Sequence, residues 1–332
     1  MQLKFLERKE IDNQKWDFCI QNCINPLPYA LSWYLDAVTG GRWAAIVGIE
    51  NQTYVAVMPL PWAKKMFIRY LKQPLFCQQL GIFSLQKISE KYWVAFLRLA
   101  QAKFPYASRY HFHVGQENTI EKLEQKTDFH IFYTHLLDLT QSYAHLLRGY
   151  DADKRYHLRQ ATKKYKAQIF HVGSNLGAAR LFELFKESTA SKIAGGIAKD
   201  ANLVFKRLYE ALEKNTKIYD FYTYNRKEIE AGVLIFSWQQ WHIYLFNAGK
   251  KEYRKNQGRL WLLDAFFQRE SGSKTPSFFD FESAQDPEVA YFYEKFGAKK
   301  AAFWVWSYNK LPFYINWLWK VKKIIKGYTF RA

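Results

Sequence analysis

Apolar positions recur along this chain with two periods, one of about two residues and one of helical spacing, and the runs become more regular past the middle. Residues 28–37 read as a short helix, with Leu31, Tyr34, Leu35 and Val38 on one face. Residues 43–49 and 54–59 predict two strands, joined as a hairpin by Glu50-Asn51-Gln52-Thr53, and 67–73 predict a third. Glu90–Lys103 has helical period, with Trp93, Val94, Leu97 and Ala100 inward. Residues 110–114 and 129–139 read as strands again.

Residues 151–166 then predict a basic helix. Arg155, Arg159, Lys163 and Lys166 fall on one stripe, and Leu158, Ala161 and Tyr165 on another face. Beyond it come a strand at 168–172, helices at 175–188 and 200–215, and an antiparallel meander of strands at 217–224, 230–238 and 241–248. A helix at 258–268, a strand at 277–281, a helix at 287–296 and a closing strand at 299–307 complete the half. Strands that feed helices and return predict an α/β fold, a mixed, mostly antiparallel sheet flanked by helices. With the boundary near 141–151, the expected units are 1–145, 146–310 and a basic tail, 311–332. The halves share no sequence repeat, but their element order is loosely similar, which leaves a duplicated fold open.

Composition adds partners to this picture. The 332 residues include 12 Trp, 23 Tyr and 27 Phe, and the formal net charge is +19. Such a charge suits nucleic acid, anionic lipid or a phosphorylated cofactor. It equally suits a soluble protein from a lysine-rich proteome. Cys19, Cys23 and Cys77 are too few for a disulfide framework and lack ligand spacing for zinc, so they read as structural thiols in a reducing compartment. His111 and His113 share a strand face without nearby carboxylates and read as structural, and no metal is expected. The first ten residues alternate charged and apolar side chains, and no window is apolar enough to span a bilayer. The expected location is the cytoplasm. No phosphate loop of the G-x-x-x-x-G-K-[ST] type and no G-x-S-x-G elbow is present.

The most specific stretch is 280–298, D-F-E-S-A-Q-D-P-E-V-A-Y-F-Y-E-K-F-G-A. Its Ala290-Tyr291-Phe292-Tyr293-Glu294-Lys295-Phe296-Gly297 run resembles the A-x-x-[FL]-Y-E-K-x-G-F segment of GNAT acyltransferases. Gly297 suits a helix end that needs a left-handed residue, and Phe292 and Phe296, four apart, can face a core. The resemblance implies that Tyr293 protonates a departing thiolate as general acid; the alternative is a packed tyrosine with its hydroxyl satisfied. It implies that the strand at 241–248 splays from its parallel neighbour at 277–281. Phe246, Asn247 and Ala248 would line the gap, where backbone N–H groups meet the acyl carbonyl. Asp280 and Glu282, two apart at a strand end, are alternative bases for an amine acceptor, or else a helix cap and a surface charge.

The loop that binds the CoA pyrophosphate in such enzymes, R/Q-x-x-G-x-G/A, is here reduced to Arg254, Gly258 and Arg259. Fewer glycines weaken the close approach of backbone to phosphate. Fem-type aminoacyltransferases, which are similar to two GNAT-like domains in tandem and use aminoacyl-tRNA, lack that loop. The stretch Asp153-Lys154-Arg155-Tyr156-His157-Leu158-Arg159-Gln160-Ala161-Thr162-Lys163 resembles the K-R-x-x-x-R-x-A-x-K run that opens their second domain. This resemblance implies tRNA contact through the basic helix 151–166, an acyl-CoA or aminoacyl-tRNA donor, and no tightly bound cofactor. The runs 58–62 and 73–81 form either a wall of the cleft or a proline-pinned turn. The tail at 313–326 puts Phe313, Trp317, Val321, Ile324 and Ile325 opposite Lys320, Lys323 and Lys326. It either docks on its own domain or lies on a membrane surface. The competing functional reading is a non-catalytic nucleic-acid- or lipid-binding protein on the same scaffold. A carbohydrate- or polymer-modifying acyltransferase is a third.

Overall fold

The computed structural model describes residues 1–121, 128–165, 177–189, 198, 200–225, 228–283 and 285–315. The strand expected at 168–172, Lys166 of the basic stripe and the tail from 316 onward lie outside them.

The chain begins with β1 (Gln2–Glu7), α1 (Asn13–Asn22) and α2 (Ser32–Thr39), then β2 (Trp43–Glu50), β3 (Thr53–Lys65), β4 (Ile68–Lys72) and β5 (Phe83–Ser84). It continues through α3 (Glu90–Lys103), β6 (Tyr106–His111), α4 (Glu117–Ile120) and β7 (Phe129–Asp138). Then come α5 (Tyr143–Gly149), α6 (Ala152–Tyr165), α7 (Gly177–Thr189) and α8 (Ala201–Asn215). The rest is β8 (Lys217–Asn225), β9 (Glu228–Trp238), β10 (Trp241–Gly249), α9 (Gly258–Glu270), β11 (Phe278–Asp280), α10 (Pro287–Glu294) and β12 (Lys299–Asn309).

Local chemistry sets many of these boundaries. Asp12 caps α1 by accepting from the Gln14 and Lys15 amides, and α2 stops at Gly40 in the left-handed region. Asn51 and Gln52, both at positive φ, close the β2–β3 hairpin as a two-residue loop. Residues 28–37 are not one helix: a 3₁₀ turn, Pro28–Ala30, is separated from α2 by Leu31 at an extended ψ of 144°. β1 and α1 were not foreseen. The charged and apolar alternation of the first residues is that of an edge strand, with one face on the core and one in water. The helix α5 was also missed, lying inside the expected boundary and capped by Ser142.

Among the described residues, twelve strands make one sheet in the order β1-β2-β3-β4-β6-β12-β7-β11-β10-β9-β8, with β5 beside β3. The last strand, β12, lies between β6 and β7, and β7 lies between β12 and β11. The order mirrors itself about the β12–β7 pair. Outward on each side the contacts are antiparallel, then parallel (β6–β4 and β11–β10), then antiparallel twice, and β1 adds a third antiparallel contact on the β12 side.

Pro59 and Pro61 are tolerated within β3 because only β2 flanks them. β5 pairs at Ala56 and Val57, and β4 pairs only from Trp62 onward. The run 58–62 is therefore strand rather than cleft wall. In β9, Val233 and Ile235 face the core under α9, whereas Leu234 and Phe236 face the larger core with α7 and α8. Burial on both faces explains why this strand reads as an unbroken apolar run.

Candidate functional site

The site forms where the two parallel pairs part. β10 and β11 pair for three residues only, ending at Ile243 opposite Asp280, while β10 runs on to Gly249. A bulge between Tyr244 and Phe246 accentuates the divergence. Asn247 and Ala248 lie on the diverging stretch. Ala248 is buried, and the Asn247 side-chain carbonyl accepts from Arg259 Nη1 at 2.8 Å. Arg254 is exposed on a 3₁₀ turn, Lys251–Asn256, that leads through Gln257 at positive φ into α9. Gly258 is used for packing: a Cβ there would stand 2.6 Å from Thr223 Oγ1.

At the end of β11, Asp280 is buried and its carboxylate is occupied. Thr134 Oγ1 donates to it at 2.5 Å, the Glu282 amide at 2.9 Å and Gln79 Nε2 at 3.2 Å. Burial pushes its pKa up to about 6, against these bonds. Glu282 has φ 45°, so it is not in the extended chain that the two-residue spacing assumed. Its half-buried carboxylate accepts from the Tyr29 hydroxyl and reaches the wall of a cleft. Burial raises its pKa to about 8, with the Asp280 charge adding to the rise and the Tyr29 bond opposing it.

That cleft, of about 490 Å³, lies over the other parallel pair, β4–β6. Gln73–Gln78 forms one wall, so part of the run 73–81 takes the first of its two alternatives. The wall is pinned by Tyr34 donating to the Phe76 carbonyl at 2.5 Å and by Gln73 Nε2 donating to the Cys77 carbonyl at 2.7 Å. Phe76, with φ 58°, and Glu282 thus place left-handed backbone in two different segments of the cleft wall. Lys72 and the exposed Arg109 supply positive charge, and His111 lines the floor. His111 Nδ1 donates to the Gln78 carbonyl at 2.7 Å. Its Nε2 has no hydrogen-bond partner among the described residues, and burial lowers its pKa to about 4. His113 stands apart, stacked on Phe83.

Tyr293, on α10, is buried and stacked on Phe281 with ring centroids 4.5 Å apart. Burial raises its pKa to about 12; Arg259 opposes the rise and Glu282 adds to it. Among the expected site residues, Arg259 thus acts on Tyr293, Glu282 reaches the cleft, and Asp280 stands behind it. Arg254 and Gly258 do not line the cleft.

Sequence reasoning missed two residues, His135 and Lys154. His135, on β7, is 1% exposed, with Nδ1 2.7 Å from Ser283 Oγ and Nε2 3.2 Å from Glu294 Oε1. Ser283 belongs to the D-F-E-S run and Glu294 to the Y-E-K run, but His135 carried no local signal. Lys154 is 4% exposed, its ammonium 3.6 and 3.7 Å from the Phe292 and Phe296 ring centroids. Burial lowers its pKa to about 7; Asp151 opposes this, and Lys295 and Arg259 add to it. A lysine at helical phase with Leu158 and Ala161 was the available sign. On the remaining stripe, Arg155 donates to the Arg148 and Tyr150 carbonyls, whereas Arg159 and Lys163 are exposed.

No family model matches the chain, and no curated protein matches it in sequence. Among solved structures it is similar to FemX, with a TM-score of 0.64 at 13% identity, over 92% of this chain and 97% of that one. A conserved protein of unknown function from Bacteroides thetaiotaomicron matches with a TM-score of 0.56 at 9% identity, over 92% and 100%. L-PGS from Bacillus licheniformis matches with a TM-score of 0.53 at 14% identity, over 91% and 93%. Identities this low speak for the fold alone. The chain has a mixed α/β fold of the kind FemX has, with helices flanking one large mixed sheet. Among the described residues no helix is long and apolar enough to cross a membrane, and no three His, Cys, Asp or Glu cluster to hold a metal.

Proposed function

We propose that the protein is an N-acyltransferase of Fem-like character, moving an acyl or aminoacyl group from an activated donor to an amine. The observation that carries this reading is Glu282: a carboxyl at the wall of the cleft, held near pKa 8 by burial. An amine acceptor must lose a proton to attack a carbonyl, and a base with a pKa near the working pH does this best. Tyr293 is the matching acid, buried beside Arg259 and protonated at neutral pH. Asp280, with all its bonds made inside the protein, orients the turn that presents Glu282.

In this reading 1–145 and 146–310 are two GNAT-like units that exchange their last strands, which accounts for the mirror order about β12 and β7. The donor favoured is aminoacyl-tRNA rather than acyl-CoA. The one late glycine of the loop is taken up by packing, and Arg259 is folded onto Asn247. Arg159 and Lys163 on α6 are then the tRNA contact. A non-catalytic binding protein on the same scaffold is the reading that the same loop would also suit.

Calorimetric titration with acetyl-CoA, followed by transfer assays from charged tRNA to small amines, tests the proposal. Donor-dependent acylation lost in Glu282→Gln supports it. Tight tRNA binding with no acylation from either donor supports the scaffold reading instead.

A further inference from the structure

Ser283, His135 and Glu294 stand in a line, and hydrogen-bond chemistry fixes the direction of each proton. An ionised carboxylate only accepts, so His135 Nε2 carries the hydrogen and donates to Glu294 at 3.2 Å. Nδ1 is then the lone-pair nitrogen, and the Ser283 hydroxyl donates to it at 2.7 Å. This is a hydroxyl, a base and an orienting carboxylate within bonding reach of one another, the arrangement that activates a weak nucleophile. Ser283 lines the 490 Å³ cleft next to Glu282. His135 is buried on a rigid interior strand, and Glu294 is exposed at the end of α10 with Lys300 Nζ 3.9 Å away.

The geometry points to Ser283 as a nucleophile that carries the acyl group as an ester between donor and amine. This rests on the acyl-transfer reading above and adds a covalent step to it. In the first half, Ser283 Oγ bonds to the donor's carbonyl carbon while His135 Nδ1 takes the hydroxyl proton. The carbon's bond to the donor oxygen or sulfur breaks, and the departing group receives that proton. In the second half, the amine nitrogen bonds to the same carbon and gives a proton to His135. The bond to Oγ breaks, and Ser283 Oγ takes the proton back. Atoms and charge balance without any further reactant. The strand exchange is what allows the line to form, because β7 brings His135 beneath the turn after β11.

The test uses p-nitrophenyl acetate on the full chain. A burst of nitrophenolate and one acetyl group located on the Ser283 peptide by mass spectrometry are expected. Ser283→Ala removes both, and Glu294→Gln, a change at an exposed position, slows the burst by about a hundredfold. Absence of the burst, or acetylation elsewhere with Ser283→Ala unaffected, overturns the proposal. Full amine transfer in Ser283→Ala also overturns it while leaving direct transfer through Glu282 standing. Acyl-Ser283 that forms while no amine is ever acylated keeps the nucleophile and removes the transfer reading.

Discussion

The parallel pairs β4–β6 and β10–β11 occupy matching places in the two arms of the sheet; the cleft lies over the first pair, the open arm, while aromatic rings pack against the second, the closed arm. Beside β10, Phe246 packs against Phe205 at 4.6 Å and Phe185 at 4.9 Å between ring centroids, and Arg259 crosses to Asn247. Beside β4, the strand ends in a pinned loop, and Lys72, Arg109 and His111 border the cleft. The chemistry of the open arm comes largely from the closed one. Glu282 and Ser283 follow β11 and line the cleft over β4–β6 because β7 and β12 lie between the arms. Equal topology thus leads to unequal packing: rings fill the space beside β10, and a cleft remains beside β4.

The comparison breaks most directly at Glu282. Glu282→Gln should reduce transfer by about 10³-fold with the fold intact by circular dichroism. The wild-type rate should rise as pH climbs through about 8, because a base held at that value works only once ionised. Tyr293→Phe, which keeps the stack on Phe281, should cost about 10²-fold in kcat; an unchanged rate would show that the tyrosine only packs.

Gly258→Ala tests whether the closed arm's glycine serves packing. It should cost about 1–3 kcal/mol in denaturant unfolding, because Thr223 must move. Lys154→Met should raise Tm by about 2 °C or more, the response to ~1 kcal/mol in a large domain. The sign follows from the lowered pKa. Between pH 7 and 10.5 the unfolded chain binds the proton that the folded one has shed, so wild-type stability climbs through that window. The gain from methionine is therefore full below pH 7 and fades toward 10.5. Arg109→Ala, at the open arm's exposed edge, should raise the KM of an amine acceptor that also carries a carboxylate severalfold at most, ~1 kcal/mol, leave that of an uncharged amine unaltered, and leave Tm unchanged.

Much of this fold was legible along the chain. Hairpin turns at Asn51-Gln52 and Gln239-Gln240, the full extent of α3 and the glycine stop at Gly297 follow from turn residues and apolar period. These act over a few neighbours, and the 280–298 segment was singled out for the same reason. Contacts between distant residues were not legible. Asp280 was readable as a carboxylate at a strand end, but Thr134 and Gln79, which occupy it, lie 146 and 201 residues away in the chain.

By itself, then, the sequence determined most of the strands and helices and singled out the stretch from Asp280 to Gly297. Each of these is set by backbone preferences and side-chain period within a short window. Only the tertiary structure decided that β12 and β7 sit side by side at the centre, that His135 meets Ser283 and Glu294, that Lys154 is sandwiched between two phenylalanines, and that Glu282 turns into the cleft. Those depend on which strand edges pair and which faces close over one another, a choice made by the burial of the whole sheet and left unmarked in any local run of residues.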